Sequence, residues 1–131
     1  MSRENVEVVR ASFEAWNARR MDAFRDLHSP EATILRFIEG WPEPGPVVGR
    51  DAVMDFFEGM RPWDDDTVEP ISEFLDSGGA VAVRFLWRAS TQGQDVGMEV
   101  TGVYTVRNGR ISVIEFFRDH AEALEAVVLS E

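Results

Sequence analysis

Met98-Glu99-Val100-Thr101-Gly102-Val103-Tyr104-Thr105-Val106-Arg107-Asn108-Gly109-Arg110-Ile111-Ser112-Val113-Ile114-Glu115-Phe116-Phe117-Arg118 is the stretch that decides the fold. Residues 98–107 and 111–118 alternate with a period of two, the signature of a strand with two unlike faces. Asn108-Gly109 supplies two adjacent residues that tolerate positive φ, as a tight hairpin turn requires. Upstream, 80–89 is a further strand, turned by Gln92-Gly93-Gln94-Asp95. Before it, 67–76 reads as a strand closed by Ser77-Gly78-Gly79. Consecutive strands on short turns predict an antiparallel sheet.

The first half of the chain follows the helical period instead. Val6, Val9, Phe13 and Trp16 fall on one helical face, with Ser2 as cap and Arg19-Arg20 suited to the C-terminal end. Residues 22–27 read as a short second helix stopped by Ser29-Pro30, and 33–37 as a strand. Three prolines within 42–46 force a loop. Residues 51–60 form a third helix with Val53, Phe56, Phe57 and Met60 on its apolar side, ended by Pro62. Asp119, with Glu122 three residues later, starts a last helix over 121–128. Helices followed by an antiparallel run define one α+β domain over residues 1–131, without repeat or linker.

Parity divides the sheet into two faces. Val81, Val83, Phe85 and Trp87, then Met98, Val100, Gly102, Tyr104 and Val106, then Ile114, Phe116 and Arg118 share one face. It is apolar and aromatic and should pack against the helices. On the other face Leu86, Val103, Val113 and Phe117 alternate with Arg84, Arg88, Glu99 and Glu115. That mixture suits a protein interface, and we expect a homodimer through it.

Composition removes whole classes of chemistry. The net charge of −11 opposes binding to phosphate backbones or anionic membrane surfaces. No Cys is present, so thiolate catalysis, disulfides and cysteine-zinc sites are excluded. All thirteen basic residues are Arg, which excludes lysine Schiff bases. Two separated His and the lack of a phosphate-cradling glycine motif point to no metal and no nucleotide cofactor. Asp64-Asp65-Asp66 reads as an exposed acidic turn rather than a metal site. No apolar run reaches membrane-spanning length, and Met1-Ser2-Arg3-Glu4 lacks a secretion signal, so a cytoplasmic location is expected.

The order of elements and several local motifs resemble the nuclear transport factor 2-like superfamily, and within it the SnoaL-like proteins related to polyketide cyclases. The residues that carry the resemblance are Asn5-Val6-Glu7-Val8-Val9-Arg10 through Phe13-Glu14-Ala15-Trp16-Asn17, Gly40-Trp41-Pro42, Gly49-Arg50-Asp51-Ala52-Val53, Phe56-Phe57, Tyr104 to Ile111, and Phe117 to Leu124. The resemblance implies a cone: a curved antiparallel sheet, in a cystatin-like α+β barrel, closed on one side by the N-terminal helices around a pocket. It also implies homodimers through the outer face. Ketosteroid isomerases of this fold use a Tyr and two Asp, whose positions fall here at Ser12, Arg36 and Gly102, so none matches. The Arg and Asp two apart that limonene-epoxide-hydrolase-like proteins place on one strand have no counterpart on the inner face. Cyclases of the family use an Asp on the final strands with a nearby His. The nearest carboxylates here are Glu115, turned outward, and Asp119, a helix cap.

The inner face and the helices together suggest a ligand pocket of Ser12, Trp16, Phe56, Val83, Phe85, Trp87, Gly102, Tyr104, Phe116 and Arg118. The aromatic members either tile a closed core or leave a ligand-sized gap. Arg36 and Arg118 fall at inward parity among apolar neighbours. Each is either paired internally with Glu39, Glu43 or Asp119, or is a site for a carboxylate or enolate oxygen. His28 is the one inward His and the best general-base candidate; its other reading is a structural histidine. His120 reads as solvated. Tyr104 donates its hydroxyl either to a ligand or to backbone. His28, Arg36 and Tyr104 are the catalytic candidates. The expected function is to bind a small, largely apolar molecule bearing a carbonyl or carboxylate. The alternative is a cofactor-independent isomerase, cyclase or hydrolase working by acid-base chemistry in the same pocket.

Overall fold

Val9, Phe13 and Trp16 are buried along one face of α1 (Ser2–Asn17), the first element of the chain. The computed structural model describes residues 2–41, 45–59, 66–91 and 93–129. α1 closes through two hydrogen bonds, Arg19 N–H to Trp16 O and Arg20 N–H to Ala15 O. Arg19 takes the left-handed conformation between them, at φ 63°. Glycine normally fills that role. Here the side chain compensates, since Arg19 Nη1 lies 2.6 Å from the fully buried carboxylate of Asp66. Asp64 and Asp65 of the acidic turn lie outside the described residues.

The helices α2 (Met21–Asp26), α3 (Arg50–Gly59) and α4 (His120–Leu129) surround strands β1 (His28–Arg36), β2 (Val47–Val48), β3 (Thr67–Pro70), β4 (Leu75–Ser77), β5 (Ala80–Thr91), β6 (Gln94–Arg107) and β7 (Arg110–Phe117). The sheet order is β2-β1-β7-β6-β5-β3, with β4 also paired to β5. The β6–β7 hairpin turns at Asn108-Gly109, both at positive φ, as the sequence pattern requires. The fold is α+β with a curved sheet. That sheet is mixed rather than wholly antiparallel, because β1 runs parallel to β7.

Three local expectations change. The strand expected over 67–76 breaks in two. Pro70 has no N–H to donate, and the Ser72 hydroxyl accepts the Arg84 N–H at 2.8 Å in place of a backbone carbonyl. The strand expected at 33–37 begins at His28, and Pro30 falls within an irregular stretch of its pairing with β7. Most consequential is a bulge. Ile34 pairs with Ile114 but Arg36 pairs with Glu115, so Leu35 is one residue extra. An inserted residue reverses the parity of everything after it. Arg36 therefore points to the outer face.

The last helix also packs on that outer face. Ala123 and Val127, one helical turn apart, are buried with Ala80, Ala82, Val103 and Phe117 in a second apolar cluster. Asp119 caps α4 by accepting the N–H groups of Ala121 and Glu122. Val103 and Phe117, two of the four large residues expected to face a second copy, are thus covered by their own chain; Leu86 and Val113 remain half-buried. His120 is half-buried rather than solvated, with Nδ1 2.9 Å from the Thr101 hydroxyl. No helix of the described residues is long and apolar enough to cross a membrane.

The edge strand β3 is tied to α1 by one side chain. Asn17 Nδ2 donates to Val68 O and Asn17 Oδ1 accepts the Val68 N–H, both at 2.8 Å. A carboxamide offers the same donor and acceptor as a peptide group, so Asn17 acts as one residue of an adjoining strand. Asn17→Ala should lower the unfolding free energy by about 1–2 kcal/mol in urea titrations. Asn17→Asp should not restore it, because a carboxylate cannot donate to Val68 O. Wild-type stability in either variant would show that the clamp contributes nothing.

Candidate functional site

The helices and the inner sheet face enclose a cavity of about 110 Å³. α1 contributes Ser12, Phe13 and Trp16; α2 contributes Phe24; α3 contributes Phe56 and Phe57. From the sheet come His28, Phe85, Trp87, Tyr104, Ile114 and Phe116, with Met98, Val100 and Val68 at its margins. Phe37, Ile38 and Trp41, after β1, complete the wall. Most of the rings meet edge to face or tilted, as between Phe13 and Phe85 at 5.2 Å and Phe24 and Phe57 at 5.5 Å, while Phe37 and Trp41 stack at 6.5 Å.

Seven of the ten residues read from sequence as pocket residues line this cavity: Ser12, Trp16, Phe56, Phe85, Trp87, Tyr104 and Phe116. Val83 and Gly102 are on the inner face and buried but do not line it. Arg118 is a correction. β7 ends at Phe117 and the chain bends out into the cap of α4, leaving Arg118 exposed, with its carbonyl accepting from Arg84 Nη1. Arg36 is another. It is exposed, pairs with Glu122 at 2.6 Å, and lies 4.3 Å over the Phe117 ring on the outer face. Its partner is none of the three carboxylates considered from sequence. The cavity thus has neither of the guanidinium groups expected there, and the motive for a carboxylate ligand goes with them.

Phe13 and Phe57, read from sequence as apolar helix-face residues, and Phe24 also line the cavity, although none was among the expected pocket residues. Phe37, Ile38 and Trp41 follow the strand, where neither period applies.

His28 is 1% exposed and is the first residue of β1. Its Nδ1 lies 2.7 Å from the carbonyl of Phe24, one turn back at the end of α2. A carbonyl can only accept, so Nδ1 carries the proton. Burial pushes the pKa of His28 down to about 4. The bond to Phe24 opposes this in part, and the Arg50 charge adds a smaller depression. The imidazole is therefore neutral at pH 7. Its Nε2 bonds no described residue. It is a poor proton acceptor but a fixed hydrogen-bond acceptor.

Tyr104 is buried, and burial raises its pKa above the ordinary value, so it remains a phenol. Its hydroxyl bonds no described residue. The ring folds back along β6 over Gly102. A Cβ at position 102 would stand 2.6 Å from Tyr104 Cε2 and 2.7 Å from its oxygen. Gly102 is therefore the reason that the ring can lie there. The Ser12 hydroxyl is engaged by Val9 O at 2.6 Å. Among the described residues no three His, Asp or Glu side chains converge on a metal-sized point.

A cone of helices and bent sheet around an apolar cavity, with a neutral His and a buried Tyr in its wall, defines an NTF2-like pocket fold. The chain belongs to the SnoaL-like domain family, which matches residues 9–114. No curated protein matches it. Among solved structures it resembles an NTF2-like protein of unknown function from Burkholderia pseudomallei, at 23% identity over 95% of this chain and 97% of that one, with a TM-score of 0.75. It also resembles an epoxide hydrolase of LEH-like type from Mycobacterium tuberculosis, at 16% identity over 97% and 91%, TM-score 0.75. TerC, co-crystallised with polyporic acid, is 19% identical over 95% and 98%, TM-score 0.75. Identities this low establish a shared fold and no shared activity.

Two tests follow from this geometry. Unfolded His28 titrates near 6.5 and folded His28 near 4. Between these values the unfolded chain binds a proton that the folded chain refuses. Stability present above pH 6.5 is therefore lost as pH falls to 4, by about 3 kcal/mol from this group. The wild type minus His28→Gln difference in unfolding free energy should shrink by that amount across the window; a constant difference would contradict the assignment. Gly102→Ala should cost about 1–3 kcal/mol by displacing the Tyr104 ring. Combined with Tyr104→Ala it should cost less than the two single losses added; simple additivity in thermal melts would refute the contact.

Proposed function

We propose that this protein binds a small, uncharged, mostly apolar molecule in the cavity between helices and sheet. The observation that carries this reading is the composition of the wall: among the described residues, Ser12, His28 and Tyr104 interrupt a lining of aromatic and aliphatic side chains that includes no carboxylate and no guanidinium. A charged ligand there would lose its hydration without gaining a counter-charge, which is strongly unfavourable. A neutral ring loses little and buries its surface among Trp16, Phe56, Phe85 and Trp87.

Turnover by acid-base chemistry in the same cavity is the weaker reading. Its base would be His28, whose depressed pKa makes it a feeble one at neutral pH.

Acetophenone and benzoate have nearly the same shape and differ in charge. At pH 7 acetophenone should bind at least about tenfold more tightly, a difference of about 1.4 kcal/mol. Trp16, Trp41 and Trp87 all line the cavity, so quenching of intrinsic fluorescence reports occupancy, and calorimetry measures affinity. Equal affinity for the two, or no binding by either, would end this reading.

A further inference from the structure

Resting on that ligand-binding reading, we propose that the cavity selects a one-ring compound bearing both a hydroxyl, which His28 Nε2 accepts, and a carbonyl, to which the Tyr104 hydroxyl donates. His28 Nε2 can only accept, whereas the Tyr104 phenol keeps a proton that it can donate to a carbonyl.

His28 is held as an acceptor by what lies behind it. Phe24 O takes the Nδ1 proton at 2.7 Å, and a neutral imidazole has no second proton to offer. Adding one is resisted by burial and by the nearby Arg50 charge. Tyr104 is held as a donor by the apolar surroundings that keep its proton in place. Both groups line the same cavity, both are more than nine-tenths buried, and neither Nε2 nor the phenolic oxygen bonds a described residue. A ligand that fills the cavity shields both atoms from water, so one that offers both groups satisfies them and one lacking either leaves a buried atom unsatisfied.

Size limits the class further. The cavity measures about 110 Å³. That is below the volume, about 150 Å³, of a dry apolar cavity that takes benzene, so a single ring is the upper limit and its substituents must reach toward the open side of the cavity. Hydroxyaryl ketones combine the ring, the donor and the acceptor.

The experiment is a matrix of calorimetric titrations at pH 7 with ethylbenzene, acetophenone, 3- and 4-ethylphenol, and 3′- and 4′-hydroxyacetophenone. Against ethylbenzene, the carbonyl alone and the better-placed hydroxyl alone should each tighten binding about fivefold. The better hydroxyacetophenone should combine both gains. His28→Leu should abolish the hydroxyl gain and keep the carbonyl gain; Tyr104→Phe, which keeps the ring over Gly102, should do the reverse. If His28→Leu does not fold, the wild type labelled with ¹⁵N-histidine answers the same question, since only His28 and His120 contribute signals. The unprotonated Nε2 resonance of His28 should move upfield with the ethylphenols and stay in place with ethylbenzene. If all six compounds bind the wild type equally, or the Nε2 signal ignores the phenols, this assignment is wrong while the ligand-binding reading stands. If none binds, both fall.

Discussion

The hydrogen bond from His28 Nδ1 to Phe24 O is the contact on which the site depends. It joins the last turn of α2 to the first residue of β1, across the corner where the chain passes from helix to sheet. It also fixes the imidazole tautomer at the same moment. Leu27 N–H reaches the same region of α2, and Leu27 O then accepts from Ile111 N–H, so the corner is stitched directly to β7. A buried imidazole needs such a partner, because an unsatisfied ring nitrogen in this cluster of Phe24 and Phe57 would be costly.

The absence of charge from the described cavity wall has an equally local cause. One residue inserted at Leu35 turns Arg36 from the inner to the outer face. There its guanidinium finds Glu122 and the face of Phe117. The bulge and α4 therefore depend on each other: the helix covers Phe117, and the arginine turned outward by the bulge clasps the helix. The outer face, a mixture of charged and apolar groups, is resolved within one chain over the part that α4 covers. Arg84 satisfies Glu99, Thr101 and the Arg118 carbonyl beside that patch.

Gly102 has a comparable effect on the inner face. The ring of Tyr104 occupies the place where a side chain at 102 would stand. The aromatic mass of β6 is thereby laid along the strand instead of across the cone. The wall gains a phenolic hydroxyl without a larger residue beneath it.

Much of this was legible without coordinates. Periodicity, caps and stop signals located the four described helices and the β5–β7 meander, and Asn108-Gly109 marked its hairpin, because those signals are local and the chain obeys them locally. Parity assigned Phe85, Trp87, Tyr104 and Phe116 to the inner face correctly, since β5, β6 and that part of β7 pair in register there. What the sequence by itself determined is the four described helices and the β5–β7 meander, the apolar character of the inner face and the choice of His28 and Tyr104 as the polar groups to consider. Only the tertiary structure decided that Arg36 and Arg118 stand outside, that α4 lies on the outer face, and that β1 runs parallel to β7. Those features depend on a single extra residue, on where a strand stops, and on which distant segment fills a space. Parity counts residues along one strand and has no access to the partner strand against which a bulge is defined.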